Sequence, residues 1–419
     1  MHWPAILLSL ALLLAFDARA ADAPPDDLDA LTLADKAAVA AQQPARPWRL
    51  FVEGAVGQGE LRGMDSTFTM ARGALDLRVD GMLMPTLRGV FSDRLDLVHS
   101  DGVPPGDNVN TLREAYLSWS RTAQQAFDVG RVNIRNGAAM GFNPTDWFKA
   151  NALRAIVNPD PAVLRDNRQG TVVVQAQQLW ADASLSATFS PRLARSADTA
   201  TFALNAGATN PENRWLLAGS YKVNDQFNPQ LLVYGGVDTP VQVGLNVSAL
   251  LGDAVVAYGE VAAGNGMSLI AQSLGMAQPN DGQQRASAGL TYTTPFNLGL
   301  SAEIEYNSAA PDEGQWHALP PGAQQQLLAT AQALQDLPTR SQLFFHATWK
   351  DLFMPRLDVS GFVRQDLQTS SQALWFEGRY AWQRADLALQ WQVYAGEAGS
   401  LYRAVPQRQT VQLVLRVYL

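Results

Sequence analysis

From Trp48 to the C-terminus the chain repeats segments of roughly ten residues in which apolar and polar side chains alternate, the pattern of a membrane-crossing β-strand. In 75–80, Leu75, Leu77 and Val79 alternate with Asp76, Arg78 and Asp80. In 297–307, Leu298, Leu300, Ala302, Ile304 and Tyr306 alternate with Ser301, Glu303, Glu305 and Asn307. In 386–394, Leu387, Leu389, Trp391 and Val393 oppose Asp386, Gln390 and Gln392. The last segment puts Val411, Leu413, Leu415, Val417 and Leu419 on one face and Gln412, Arg416 and Tyr418 on the other. Successive strand side chains point to opposite sides. A charge at every second position therefore needs water on one side and lipid or core on the other.

Eighteen such segments can be placed, at about 48–57, 66–80, 84–99, 109–121, 124–135, 170–179, 182–190, 213–223, 227–237, 240–250, 253–262, 284–294, 297–307, 341–351, 355–366, 371–382, 384–395 and 408–419. The connections after even-numbered segments are all short. The long ones, at 58–65, 100–108, 136–169, 191–212, 263–283, 308–340 and 396–407, all follow odd-numbered segments. Short turns on one side and long loops on the other are the asymmetry of an outer-membrane barrel. The expectation is an all-β fold, an 18-stranded antiparallel transmembrane β-barrel, with 16 strands as the alternative count. Trp119, Trp180, Trp349 and Trp382, with Phe296 and Phe353 in adjoining turns, fall at the periplasmic ends, where an interfacial girdle belongs.

Composition narrows the setting. Residues 6–16 form an apolar run ahead of Ala18-Arg19-Ala20, so 1–20 reads as a signal peptide. Residues 21–47 read as a periplasmic N-terminal extension with a helix-like stretch, and 48–419 as the outer-membrane barrel. No later apolar stretch reaches the length of a membrane helix. Cysteine is absent, which removes disulfides and thiolate metal sites. A net charge of −8 argues against nucleic acid as a partner. The expected partners are outer-membrane lipid and small solutes, with a monomer and a homotrimer both open.

Catalysis has little to stand on. His99, His317 and His346 show no Ser–His–carboxylate or metal-ligand spacing, and the expectation is a non-enzymatic protein without cofactor or metal. The Gly-rich AAGNGMS at 262–268 lacks the Lys-Ser/Thr of a phosphate loop and reads as a flexible outer loop. The lumen is richer. Arg72, Arg78, Arg88, Arg94, Arg131 and Arg135 sit on the polar parity of early strands, with Asp76, Asp80, Asp96 and Glu114 among them. Glu303, Glu305, Asp358, Asp366 and Glu377 add acid in the second half, so facing positive and negative walls are expected.

The connection 136–169, between strands five and six, has a length that is uncommon in loops without regular structure and usually marks function or disorder; a loop that merely covers the mouth is the alternative. It carries Asp146, Lys149, Arg154, Arg165 and Arg168, and its Phe142, Trp147, Phe148, Leu153, Ile156 and Leu164 are costly on a solvated tip. It is expected to fold inward, pack on the wall and constrict the lumen. In 308–340, Leu327, Leu328, Ala331 and Leu334 make a helical stripe, predicting a short helix over the outer mouth.

The segments LREAYLSW at 112–119, FDVGRVNIRNG at 127–137 and NPTDWF at 143–148, with the apolar terminal strand, resemble proteobacterial outer-membrane channels of the porin and alginate-export-like families. Gly130, Arg131 and Gly137 fit the pattern, while Asn136 stands where those proteins often have tryptophan. The resemblance implies a porin-like channel that passes small hydrophilic or charged solutes through a lumen constricted by 136–169. The alternatives are an exporter of a polysaccharide or other polymer, and a non-transporting receptor or assembly protein.

Overall fold

The computed structural model describes residues 46–63, 66–101, 107–224 and 226–419. The leader read over 1–20, and the extension over 21–47 except its last two residues, lie outside them.

The strands are β1 (Trp48–Leu61), β2 (Ser66–Met84), β3 (Leu87–Ser100), β4 (Val109–Thr122), β5 (Gln125–Val132), β6 (Thr171–Leu179), β7 (Ala183–Ser190), β8 (Arg214–Tyr221) and β9 (Gln230–Gly236). The circuit continues with β10 (Gln242–Leu251), β11 (Val255–Gly266), β12 (Asp281–Thr293), β13 (Leu298–Asn307), β14 (Ser341–Trp349), β15 (Leu357–Asp366), β16 (Gln372–Ala381), β17 (Ala385–Ala395) and β18 (Gln407–Tyr418). Each strand pairs antiparallel with its chain neighbours, and β1 pairs with β18 from Phe51↔Tyr418 to Leu61↔Gln407, so the sheet closes on itself. Closure leaves no edge with unpaired backbone groups, which is what allows a sheet to stand in lipid.

All eighteen expected segments are strands, and the differences lie at their ends. β1 runs past Gly57 to Leu61 although Gly57-Gln58-Gly59-Glu60 loses the alternation, because those residues stay paired with both β2 and β18. The 262–268 segment is not a free loop. β11 extends to Gly266, and Ser268 caps the next helix by accepting from the Ala271 N–H at 3.2 Å.

The alternation sorts as expected between lipid and lumen. Leu75, Leu97, Leu117, Val129, Leu245, Ile304, Phe345, Leu389 and Leu415 are exposed on the outside, while Glu53, Asp76, Arg94, Asp96, Glu260 and Glu303 are buried within. An apolar exterior around a charged interior is stable only in an apolar solvent. Trp119, Trp180, Trp382, Phe296 and Phe353 are all exposed near one rim, where Trp119 stacks on Phe127 and Phe296 meets Trp349 at a tilt.

The long connections fold rather than trail. They carry helices α1 (Pro161–Asp166), α2 (Ala206–Thr209), α3 (Leu269–Leu274), α4 (Glu313–Ala318) and α5 (Pro321–Leu334), the last being the helix expected from the 308–340 stripe. Leu269, Trp316, Leu327, Ala331 and Leu401 form a second apolar core outside the barrel, drawn from three connections. The Trp316 indole N–H donates to the Gly399 carbonyl at 2.8 Å and ties two of them together.

Candidate functional site

Residues 133–170 leave the barrel wall at β5, cross the lumen and return at β6. In the closed circuit the strands farthest from this root are those around β14. The loop reaches them. Asp160 lies 3.4 Å from the His346 imidazole of β14, while its carboxylate also caps α1 by accepting from the Ala162 N–H at 2.9 Å. Arg364 of β15 donates to the Gly141 carbonyl at 2.9 Å.

The loop is seated on this far wall by carboxylates that accept from its backbone. Glu260 of β11 accepts the Ala139 N–H at 2.6 Å, and the Thr145 hydroxyl lies 3.3 Å from its other oxygen. Glu303 of β13 accepts the N–H groups of Met140 and Gly141 and the Tyr258 hydroxyl. Glycine is required where the carboxylates press on the backbone. A Cβ at Gly137 would stand 2.2 Å from Glu260 Oε1 and one at Gly141 2.1 Å from Glu305 Oε1. Gly137 also has φ +83°, a conformation that L side chains avoid.

Apolar packing completes the seat. Trp147 stacks flat on Tyr234 at 5.0 Å and donates its indole N–H to Gln242 at 2.7 Å. Phe148 meets Tyr234 edge-on, and the Arg214 guanidinium lies over its ring at 5.0 Å. Phe142 and Phe148 are buried as expected, whereas Ile156 stays 42 % exposed.

Inside the loop, Arg168 pairs with the fully buried Asp146 at 2.6 Å and donates to Gln335 at 2.8 Å; the Gln335 amide in turn donates to the Lys149 carbonyl at 2.6 Å. The outer cap thus rests on the constriction. The Lys149 ammonium donates to the Asn143 carbonyl at 2.7 Å and lies over the Phe142 ring. Burial pushes its pKa down to about 8, against the opposing pull of Asp336 and Asp146.

The loop's free side faces the barrel seam, where β16, β17 and β18 meet β1, β2 and β3. Here Glu53 is the hub. Arg72 binds it, Arg94 donates to it at 2.9 Å and Arg416 at 2.8 Å. Arg94 also reaches Asp96 at 3.0 Å, and Arg113 pairs with Asp76 at 2.7 Å. Arg379 is held by Glu377 and Asp386. Between loop and seam lies a cavity of about 20 Å³, room for about one water. Its loop side is uncharged, formed by Val157, Asn158, Val163 and Asn167, whereas its wall side presents Arg72, Arg94, Arg379 and Arg416 against the single acid Glu53.

The residues singled out from sequence fall into three groups, with Arg135 apart from them. Arg72 and Arg94 line this gap. Arg78, Arg88 and Glu114 form a separate cluster toward the turn side of β2–β4, with Asp80 bridging both arginines. Arg131, Asp146, Arg154, Arg165 and Arg168 lie in the packing between loop and wall. Arg131 donates to the carbonyls of Gly170 and Leu204, Arg154 to those of Asn110, Ala200 and Ala203, and Arg165 to that of Gly137. Arg135 makes an exposed pair with Asp166 at 2.7 Å. Sequence reasoning missed Arg379 as a lining residue and Glu260 as a seat, and it did not draw the terminal-strand Arg416 into the site. Inward parity marks all three. The expected opposition of a basic first half and an acidic second half takes a different form: the arginine face straddles the β1–β18 closure, and Glu303 and Glu305 lie beneath the loop.

No protein-family model matches the chain, and no curated protein matches it in sequence. Its fold is similar to solved structures. Against Pseudomonas aeruginosa OccK2 (OpdF) the TM-score is 0.56 at 14% identity, covering 89% of this chain and 97% of that one. Against Acinetobacter baumannii OccAB1 it is 0.55 at 9% identity, covering 89% and 96%. Against P. aeruginosa OccK5 (OpdH) it is 0.53 at 11% identity, covering 89% and 97%. At such identities the likeness establishes a shared fold, an 18-stranded antiparallel barrel.

Proposed function

We propose that this protein is a passive channel of the Gram-negative outer membrane, non-enzymatic, that admits small hydrophilic solutes and favours anions. The observation that carries this reading is the gap between loop and seam, lined on the wall by Arg72, Arg94, Arg379 and Arg416, each more exposed than the acid that pairs with it, and by a neutral loop face opposite. Charged rings at a constriction select by sign. The fold likeness to barrels of Pseudomonas aeruginosa and Acinetobacter baumannii supports the membrane assignment. In this reading residues 1–20 are an export leader, 21–47 a periplasmic extension, and Arg72 and Arg94 pore-lining groups joined by Arg379 and Arg416.

Purified protein in planar bilayers tests the proposal. Under a potassium chloride gradient it should conduct in discrete steps with a reversal potential on the anion side. Absence of conductance from correctly folded barrel overturns the channel reading, and cation preference overturns the role given to the arginines.

A further inference from the structure

We infer that the constriction loop sets the charge preference of the pore by masking an acidic wall, and that Glu303 is the positioning residue that holds the mask in place. This rests on the channel reading above. Glu260, Glu303 and Glu305 share the inward face of the far wall; Glu260 and Glu305 lie in one row, each opposite Ser287 of β12. One cation answers them directly among the described residues, Arg364, which pairs with Glu305 at 3.3 Å. Bare, this wall would offer water more negative than positive charge, whereas on the seam each arginine is more exposed than the acid it pairs with. Covered, the three carboxylates are 0–3 % exposed, and Glu305 Oε1 is buried without a hydrogen-bond partner.

The cover is held at its near end by three successive backbone N–H groups, at 139, 140 and 141, aimed at two carboxylates. Glu303 is the stricter of the two. Both its oxygens accept from loop amides, and one also accepts from Tyr258, so an amide in its place must turn an NH2 toward a loop N–H in either orientation. Glu260 is more tolerant. Its second oxygen faces the Thr145 hydroxyl, which already donates to Asn246 at 2.8 Å and can accept from a glutamine NH2.

Two variants test this without depending on one fold. Glu303→Gln breaks the seat chemically. Gly141→Ala breaks it sterically, because its Cβ would meet Glu305 Oε1 and lie 2.6 Å from the buried Phe344 ring, and it keeps all three carboxylates. Both should raise single-channel conductance and move the reversal potential toward cations, Gly141→Ala further, with Glu260→Gln giving the lesser change. Hydrogen exchange provides a readout independent of conduction. In both variants the amides of 139–141 should exchange roughly ten- to a hundredfold faster, the value of a hydrogen bond to a charged acceptor, while strand amides keep their protection. Unchanged selectivity in both variants overturns the masking role, and unchanged exchange overturns the seat. A wild-type barrel that fails to conduct would instead remove the channel reading, leaving the exchange result to report on the seat alone.

Discussion

The seam and the far wall both carry closely spaced carboxylates, and they satisfy them by different means. On the seam, Glu53, Asp96, Glu377 and Asp386 are answered by the side chains of Arg72, Arg94, Arg379 and Arg416, so the wall is complete in itself and remains open to the gap. On the far wall, Glu260 and Glu303 are answered by backbone N–H groups of a loop that enters the lumen from β5. A wall that satisfies its own charges can line a water path. One that borrows its donors must be covered. In the proposed channel the labour divides accordingly: the seam meets the solute, and the far wall carries the loop.

The comparison can be broken from either side. The largest effect is expected at the seam hub. Glu53→Ala leaves Arg72, Arg94 and Arg416 around a buried gap, and loss of one partner from a buried ion-pair network costs on the order of 3–5 kcal/mol. Thermal unfolding in detergent should show it as a marked drop in midpoint. Next comes the strut inside the loop. Asp146→Asn removes the charge facing Arg168 at zero exposure, a loss of about 1.5–3 kcal/mol for a charge-assisted bond. Proteolysis should then cut the loop before the barrel. Arg416→Gln is expected to have a smaller effect on stability, since Glu53 keeps Arg72 and Arg94, and to shift the reversal potential toward cations. The shift should exceed that of Arg88→Gln, since Arg88 sits half-exposed on Asp80 away from the gap.

The smallest effect concerns Lys149. Its pKa in the fold, about 8, lies below its ordinary 10.5, so between these values the unfolded chain binds more protons. Its unfavourable contribution therefore fades as pH rises from 8 to 10.5, and any advantage of Lys149→Met in unfolding midpoint should narrow across that window. A constant difference contradicts the burial assigned to the amine.

Much of this architecture is legible in the chain because a barrel strand writes its orientation at every second residue. Parity alone places Arg72 and Arg94 in the lumen, and the same reading extends to Glu53, Arg379 and Arg416. Loop length and its misplaced aromatics mark 136–169 as inward-folded. The path of the loop was not legible, because its near-end seat uses backbone N–H groups that any sequence possesses. Glu260 stands alone among apolar and small residues in β11, and its partner Ala139 lies 121 positions away with no signature of its own. Nor could Arg131, Arg154 and Arg165 be told apart from lining arginines, since their partners are backbone carbonyls of loop residues, which carry no mark in the sequence.

The most direct test is the reversal potential of single channels under a salt gradient, measured for the wild type and for a variant with 138–166 replaced by a short Gly-Ser linker. The wild type should prefer anions, and the variant should conduct more and prefer cations, because removal of the loop exposes Glu260, Glu303 and Glu305. An unchanged sign of selectivity together with unchanged conductance would contradict a loop that both narrows the pore and hides its acidic wall.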